Sequence, residues 1–300
     1  APLNSGQYNT AVGHEALNAF TTAYESCVFG YEAGTSITTG RSNNLFGAGA
    51  GDSLTDARYN VAVGRSTLQS ATDPDGCIAI GDQAMSGVNA TDGRLTGVIG
   101  IGFGTLGDAS GLKKHADQSI AIGGSAGANA SNLAKEFVII GYTAGQKING
   151  EDITHIGYEA GQYASGSSNT FVGSQAGKGG TTSAPYSSGQ NNTAMGYQAL
   201  QNFTTGGANV AVGYQAGGDI TTGINNTFIG MLAGDLLTTG TNNVVVGSGA
   251  LGTADGGERE NIAIGFGSAG GINNDSAIRN VFIGEYAGYG GTGALNYSVA

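Results

Sequence analysis

Asn192-Thr193-Ala194-Met195-Gly196-Tyr197-Gln198-Ala199-Leu200 returns as Asn209-Val210-Ala211-Val212-Gly213-Tyr214-Gln215-Ala216-Gly217 and again as Asn226-Thr227-Phe228-Ile229-Gly230-Met231-Leu232-Ala233-Gly234, 17 residues apart each time. With the central glycine as landmark, sixteen copies fall at Gly13, Gly30, Gly47, Gly64, Gly81, Gly102, Gly123, Gly141, Gly157, Gly173, Gly196, Gly213, Gly230, Gly247, Gly265 and Gly284. Seven of the fifteen intervals are 17 residues and the others run from 16 to 23. A constant core separated by segments of variable length is the pattern of a solenoid, whose coils are constrained by their neighbours while insertions project as loops.

Composition narrows the class further. The 300 residues include 57 glycines but no Gly-X-Y period, which excludes collagen. Apolar residues come in short clusters, far below the roughly 20 needed for a membrane helix. The net charge of -11 argues against nucleic acid as a partner, since phosphate binding rests on Lys and Arg. The same balance argues against an anionic membrane surface and is consistent with keeping a repetitive β-protein in solution.

Each copy reads as a strand. The residue before the landmark glycine is always apolar and mostly β-branched: Val12, Phe29, Phe46, Val63, Ile80, Ile101, Ile122, Ile140, Ile156, Val172, Met195, Val212, Ile229, Val246, Ile264 and Ile283. These sixteen are expected to form the coil interior. The residue one step earlier points to the opposite face. It includes Ala11, Val28, Leu45, Ala62, Ala79, Ala121, Ile139, Phe171, Ala194, Ala211, Phe228, Val245, Ala263 and Phe282. A strand apolar on both faces is buried on both, so these fourteen are expected to form the contact between symmetry-related chains.

Four residues before the glycine, Asn occurs in ten copies: 9, 43, 60, 169, 192, 209, 226, 243, 261 and 280. Stacked coils would align these amides in a ladder. Three residues after it, Ala occurs in thirteen, with Thr67, Thr105 and Ser268 in the others, implying close backbone approach and a second short strand. The next residue is mostly Gly or Leu, where glycine permits a turn with positive φ. Thr-Thr-Gly recurs in the turn-rich remainder at 38–40, 204–206, 221–223 and 238–240. The fold class is therefore all-β, a narrow parallel β-solenoid of about 16 coils spanning 1–300 as one repeat array. Coils at ~4.8 Å would make a rod of roughly 70–80 Å. Cys27 and Cys77, three coils apart, are too far from each other for a disulfide. Residues 1–7 read as the tail of an earlier coil and Asn296-Tyr297-Ser298-Val299-Ala300 as the start of another strand, which suggests a segment of a longer fibre protein.

No catalytic constellation emerges, and no enzyme is expected. His14, His115 and His155 lie in different coils without ligand spacing, and His155 replaces an Ala at the second strand position. Gly100-Ile101-Gly102-Phe103-Gly104 and Gly265-Phe266-Gly267 lack the following helix that a nucleotide loop requires. No cofactor is expected. Calcium would have to use turn carboxylates such as Asp73, Asp75 and Asp235, but the Gly-Gly-x-Gly-x-Asp ladder of calcium-binding rolls is absent. Tyr31, Tyr142, Tyr158, Tyr197 and Tyr214 follow their landmark glycines and suit either of two roles: stacking on sugars, or packing across a chain–chain seam.

The unit Asn-Thr-Ala-Val-Gly-Tyr-Gln-Ala-Leu resembles the head repeats of YadA-like trimeric autotransporter adhesins, as does Ser119-Ile120-Ala121-Ile122-Gly123-Gly124-Ser125-Ala126. The longer period, with its Thr-Thr-Gly-x-Asn-Asn spacer, is similar to repeats of bacteriophage tail fibre proteins. The resemblance implies a left-handed β-roll and a homotrimer. It also implies a structural shaft or head on the virion surface that presents or contributes to binding of a host-cell receptor or glycan. The alternative is a bacterial cell-surface adhesin head that binds matrix or glycan. An ice-binding solenoid, prompted by the threonine pairs, is a further alternative. It is disfavoured because adjacent threonines point to opposite faces of a strand.

Overall fold

A computed structural model describes residues 5–88, 95–107, 116–129, 136–254, 256–272 and 277–290. His115 and residues 296–300 lie outside them. The chain divides into two compact units, 1–152 and 153–300. Unit 1 holds strands β1 (Thr10–Val12), β2 (Cys27–Phe29), β3 (Asn44–Phe46), β4 (Val61–Val63), β5 (Ile78–Ile80), β6 (Ile99–Ile101), β7 (Ile120–Ile122) and β8 (Phe137–Ile140). Unit 2 holds β9 (Ile153–Ile156), β10 (Thr170–Val172), β11 (Thr193–Met195), β12 (Val210–Val212), β13 (Thr227–Ile229), β14 (Val244–Val246), β15 (Ile262–Ile264) and β16 (Val281–Ile283). The protein is a parallel β-solenoid with no α-helix among the described residues.

Within each unit, successive strands pair in parallel and in register with the landmark glycines. Val210, Ala211 and Val212, for example, face Thr227, Phe228 and Ile229. Landmark glycines stack on one another with φ between 125° and 145°. A Cβ on Gly213 would stand 2.5 Å from the Gly230 carbonyl oxygen. That contact excludes every side chain and explains why the position never varies.

The two strand faces are the reverse of the expectation. The residue two before the glycine points inward: Val28, Leu45, Ala62, Ala79, Ala121, Ile139, Phe171, Ala194, Ala211, Phe228, Val245, Ala263 and Phe282 are all buried within their own chain and cannot form a chain–chain contact. Ala11, in the first strand, is exposed. The expected core points outward. Val12, Phe46, Val63, Ile80, Met195, Ile229, Ile264 and Ile283 are exposed. Phe29, Ile101, Ile122, Ile140, Ile156, Val172, Val212 and Val246 are half-buried.

The physical reason is the narrowness of the coil. The inward strand residue shares one small space with the residue four after the glycine, which is held at positive φ whatever its type. In most coils a large residue at one place goes with a small one at the other, Val245 with Leu251 being the exception. Leu45, Ile139, Phe171, Phe228 and Phe282 sit beside Gly51, Gly145, Gly177, Gly234 and Gly288. Ala11, Ala62, Ala79 and Ala194 sit with Leu17, Leu68, Met85 and Leu200. A Cβ on Gly177 would lie 2.5 Å from the Phe171 ring, and one on Gly100 would lie 2.5 Å from Met85 Cγ. Ala was thus inside because space was short, not outside because chains approached.

The amide ladder forms as expected. Asn226 Nδ2 donates to Asn209 Oδ1 at 3.0 Å and to the Gly240 carbonyl at 2.8 Å. Its own Oδ1 accepts from the Asn243 backbone N–H and Nδ2, each at 3.0 Å. The small residues after the glycine form no second strand. They lie in a continuous turn, tied back to the landmark carbonyl by the Thr67 and Thr105 hydroxyls at 3.1 and 2.9 Å. The second line of parallel pairing runs instead through single bridges two residues before the asparagines, such as Tyr24 to Arg41 and Arg41 to Arg58. Both cysteines are free, and Cys77 occupies an asparagine position of the ladder.

Candidate functional site: an uncovered apolar stripe

Inverting the strand leaves two columns on the outside. One is the residue before the landmark glycine. The other is the residue three before it: Thr10, Cys27, Asn44, Val61, Ile78, Ile99, Ile120, Val138, Thr154, Thr170, Thr193, Val210, Thr227, Val244, Ile262 and Val281. Sixteen strands with two such positions give thirty-two side chains, none of them Asp, Glu, Lys or Arg. Six of them, Thr10, Asn44, Thr154, Thr170, Thr193 and Thr227, are polar but uncharged, and the other twenty-six are apolar. Met195 is 46% exposed and Ile229 41%. Each unit carries eight strands of this stripe, and a contiguous exposed apolar patch is the usual mark of an interaction surface.

A third column, the residue after the glycine, borders the stripe. Tyr31, Tyr142, Tyr158, Tyr197 and Tyr214 are exposed there, with Phe103, Met231 and Phe266. Tyr197 and Tyr214 stack with centroids 5.4 Å apart and planes at 17°. His14 and Tyr31 do the same at 5.3 Å and 12°, and in the stripe itself Phe29 and Phe46 stack at 5.2 Å and 6°. Rings stacked face to face offer mainly their edges, whereas a sugar needs a free face. The Glu32 carboxylate, by hydrogen bonding and charge, raises the Tyr31 phenol above its ordinary pKa.

The next column is polar. Gln198 donates to Gln175 and Gln215 to Gln198, each at 2.8 Å. Lys178 contacts Glu159 at 2.6 Å. Burial pushes Glu159 up, but hydrogen bonds from Lys178, Gln175 and Tyr158 outweigh it and hold the carboxyl below its usual range.

No family model matches this chain. No curated protein matches it either.

The residues considered for chemistry stay apart. His14 lies on the surface beside Tyr31, and His155 is buried against Phe171. Asp73 is already engaged, accepting from Thr55 Oγ1 at 2.6 Å and the Asp56 N–H at 2.9 Å. Asp235 lies with Asp219 in a shallow hollow lined also by Gln201 and Gln215, and burial raises its pKa. Among the described residues no three potential metal ligands come together. The arrangement can bury apolar area against another surface.

Proposed function

We propose that the protein is a structural fibre segment: a homotrimeric solenoid shaft or head of a virion tail fibre, presenting or contributing to host-receptor binding. The observation that carries this reading is the uncharged, uncovered apolar stripe in both units. Three copies of the chain, packed through Phe46, Ile80, Ile122, Met195, Ile229 and their column, would remove it from water. Such an interface is of the obligate kind, well over ~2,000 Å². The repeat's resemblance to adhesin heads and phage fibres favours three as the number and the virion surface as the place.

The adhesin-head alternative would use the tyrosine column for glycan, and the stacking of Tyr197 on Tyr214 leaves little free ring face for it. The ice-binding reading loses support at the Thr-Thr-Gly corners, where the first hydroxyl of each pair is already engaged. Thr204 and Thr221 donate to the next coil's carbonyls at 3.0 and 3.1 Å. Sedimentation equilibrium of the 300-residue chain tests the proposal. A trimer at micromolar concentration is expected, and a stable folded monomer would contradict it.

A further inference from the structure

The inward position of β9 is occupied by His155, where other copies carry Gly, Ala, Val, Leu, Ile or Phe. The side chain is fully buried. Its ring stacks on Phe171 of β10, with centroids 4.8 Å apart and planes at 16°. On its own coil it fills the space over Gly161, where even a Cβ would collide with the ring. Neither Nδ1 nor Nε2 has a hydrogen-bond partner. An imidazole so placed is an ionisable group doing the work of a hydrocarbon, and the sequence offers a phenylalanine for the same place in β10, β13 and β16.

The ionisable groups nearest in sequence do not compensate it. Asp152 and Tyr158 of the same coil are exposed and Glu151 is half-buried, Glu159 is held by Lys178 of the next coil, and none of them bonds either ring nitrogen. β10 presents only Thr170, Phe171 and Val172. Burial alone pushes the His155 pKa down to about 3.

We propose that His155 makes β9 an acid-operated opening point of unit 2. A proton has no place in the closed coil, so acid favours conformations in which the ring has left the interior for water. The released ring has an ordinary imidazole pKa near 6.5, whereas the closed one stays neutral to much lower pH. The open form therefore binds more protons below pH 6.5, and closure weakens as pH falls from there towards 3. Between pH 7.5 and 5.0 the population of the opened coil rises about thirty-fold. The inference concerns the coil interior and does not depend on the trimer.

Native-state hydrogen exchange on the full chain, corrected for the intrinsic pH dependence of exchange, tests it. The Thr154 amide bonds the Asn169 carbonyl and the Gly173 amide bonds the Ile156 carbonyl, so both report on β9. Protection at these two amides should fall about thirty-fold from pH 7.5 to 5.0, while the Val210 and Thr227 amides of β12 and β13 keep theirs. In His155→Phe, and separately in His155→Leu, the fall at Thr154 and Gly173 should vanish. An equal fall in both variants would overturn the proposal. So would unchanged protection in the wild-type protein, or a His155 ring resonance that titrates near 6.5 while protection persists.

Discussion

The two units carry the same coil with different amounts of amide ladder. In unit 2, seven of eight coils have Asn at the ladder position, and hydrogen bonds link Asn192 to Asn169 and each later amide to the one before it, through Asn280. Unit 1 has one amide-to-amide step, Asn60 to Asn43 at 2.9 Å. Its later coils put Cys77, Val98, Ser119 and Phe137 there, all buried. The intervals between landmark glycines lengthen in the same place, to 21, 21 and 18 residues. Both units nevertheless keep the stacked glycines and the small residue that follows three later. The difference teaches that the glycine column is required by the coil itself. The amide ladder is an optional brace, set by which residue stands at its position: it persists in unit 2 across intervals of 17 to 23 residues and is interrupted in unit 1 at Ser26 and Cys77, where the intervals are 17.

A substitution that ignores this distinction should hurt both units alike. Gly64→Ala and Gly213→Ala each drive a Cβ to 2.6 or 2.5 Å from the next coil's glycine carbonyl oxygen, at φ of 133° and 140°. Each should cost ~3 kcal/mol or more, read as a loss of denaturant midpoint. A tolerated alanine in either unit would break the claim that the column is common to both.

The brace should separate the units. Asn226→Ala abandons buried partners on Asn209, Gly240 and Asn243, which should cost about 3 kcal/mol. Ser119→Ala at the equivalent place in unit 1 removes, among the described residues, the bond to the Asp117 carbonyl and the one accepted from the Phe137 N–H, at 3.0 and 3.2 Å, and should cost about 1 kcal/mol. Equal losses in thermal unfolding would erase the contrast.

The smallest expected net effect comes from exchanging sizes within one coil. Ala194→Phe alone overpacks the space held by Leu200, at a cost of ~1–3 kcal/mol. Adding Leu200→Gly reproduces the Phe228–Gly234 arrangement of β13 and should recover most of that stability. A double variant no better than the single one would refute the shared space.

That size exchange also marks what was legible in the sequence. The period, the parallel strands, the amide ladder and the free cysteines follow from spacing alone, because an in-register stack translates each position into a column. The side each column faces does not follow from apolarity when both strand faces are apolar. Uniform β-branched residues before the glycine suggested a core, yet uniformity there reflects a flat outer face. The inner face varies between Ala194 and Phe282 because it is matched to Leu200 and Gly288 across the coil. The signal was present as an inverse relation of sizes six residues apart, and reading it would have placed both columns correctly. The bridge pairing left no such trace, since Gln7, Tyr24, Arg41 and Asp75 share no side-chain character and pair through backbone alone.

The adjacent pair Phe228 and Ile229 tests the account most directly, by circular dichroism and sedimentation of the two aspartate variants side by side. Phe228→Asp puts an unpaired charge into a coil interior and should abolish cooperative folding of unit 2. Ile229→Asp should retain the β-signal and its melting while weakening or abolishing self-association. The reverse result, with Ile229→Asp unfolding the chain and Phe228→Asp only dissociating it, would contradict the assignment of the two faces and the stripe that follows from it.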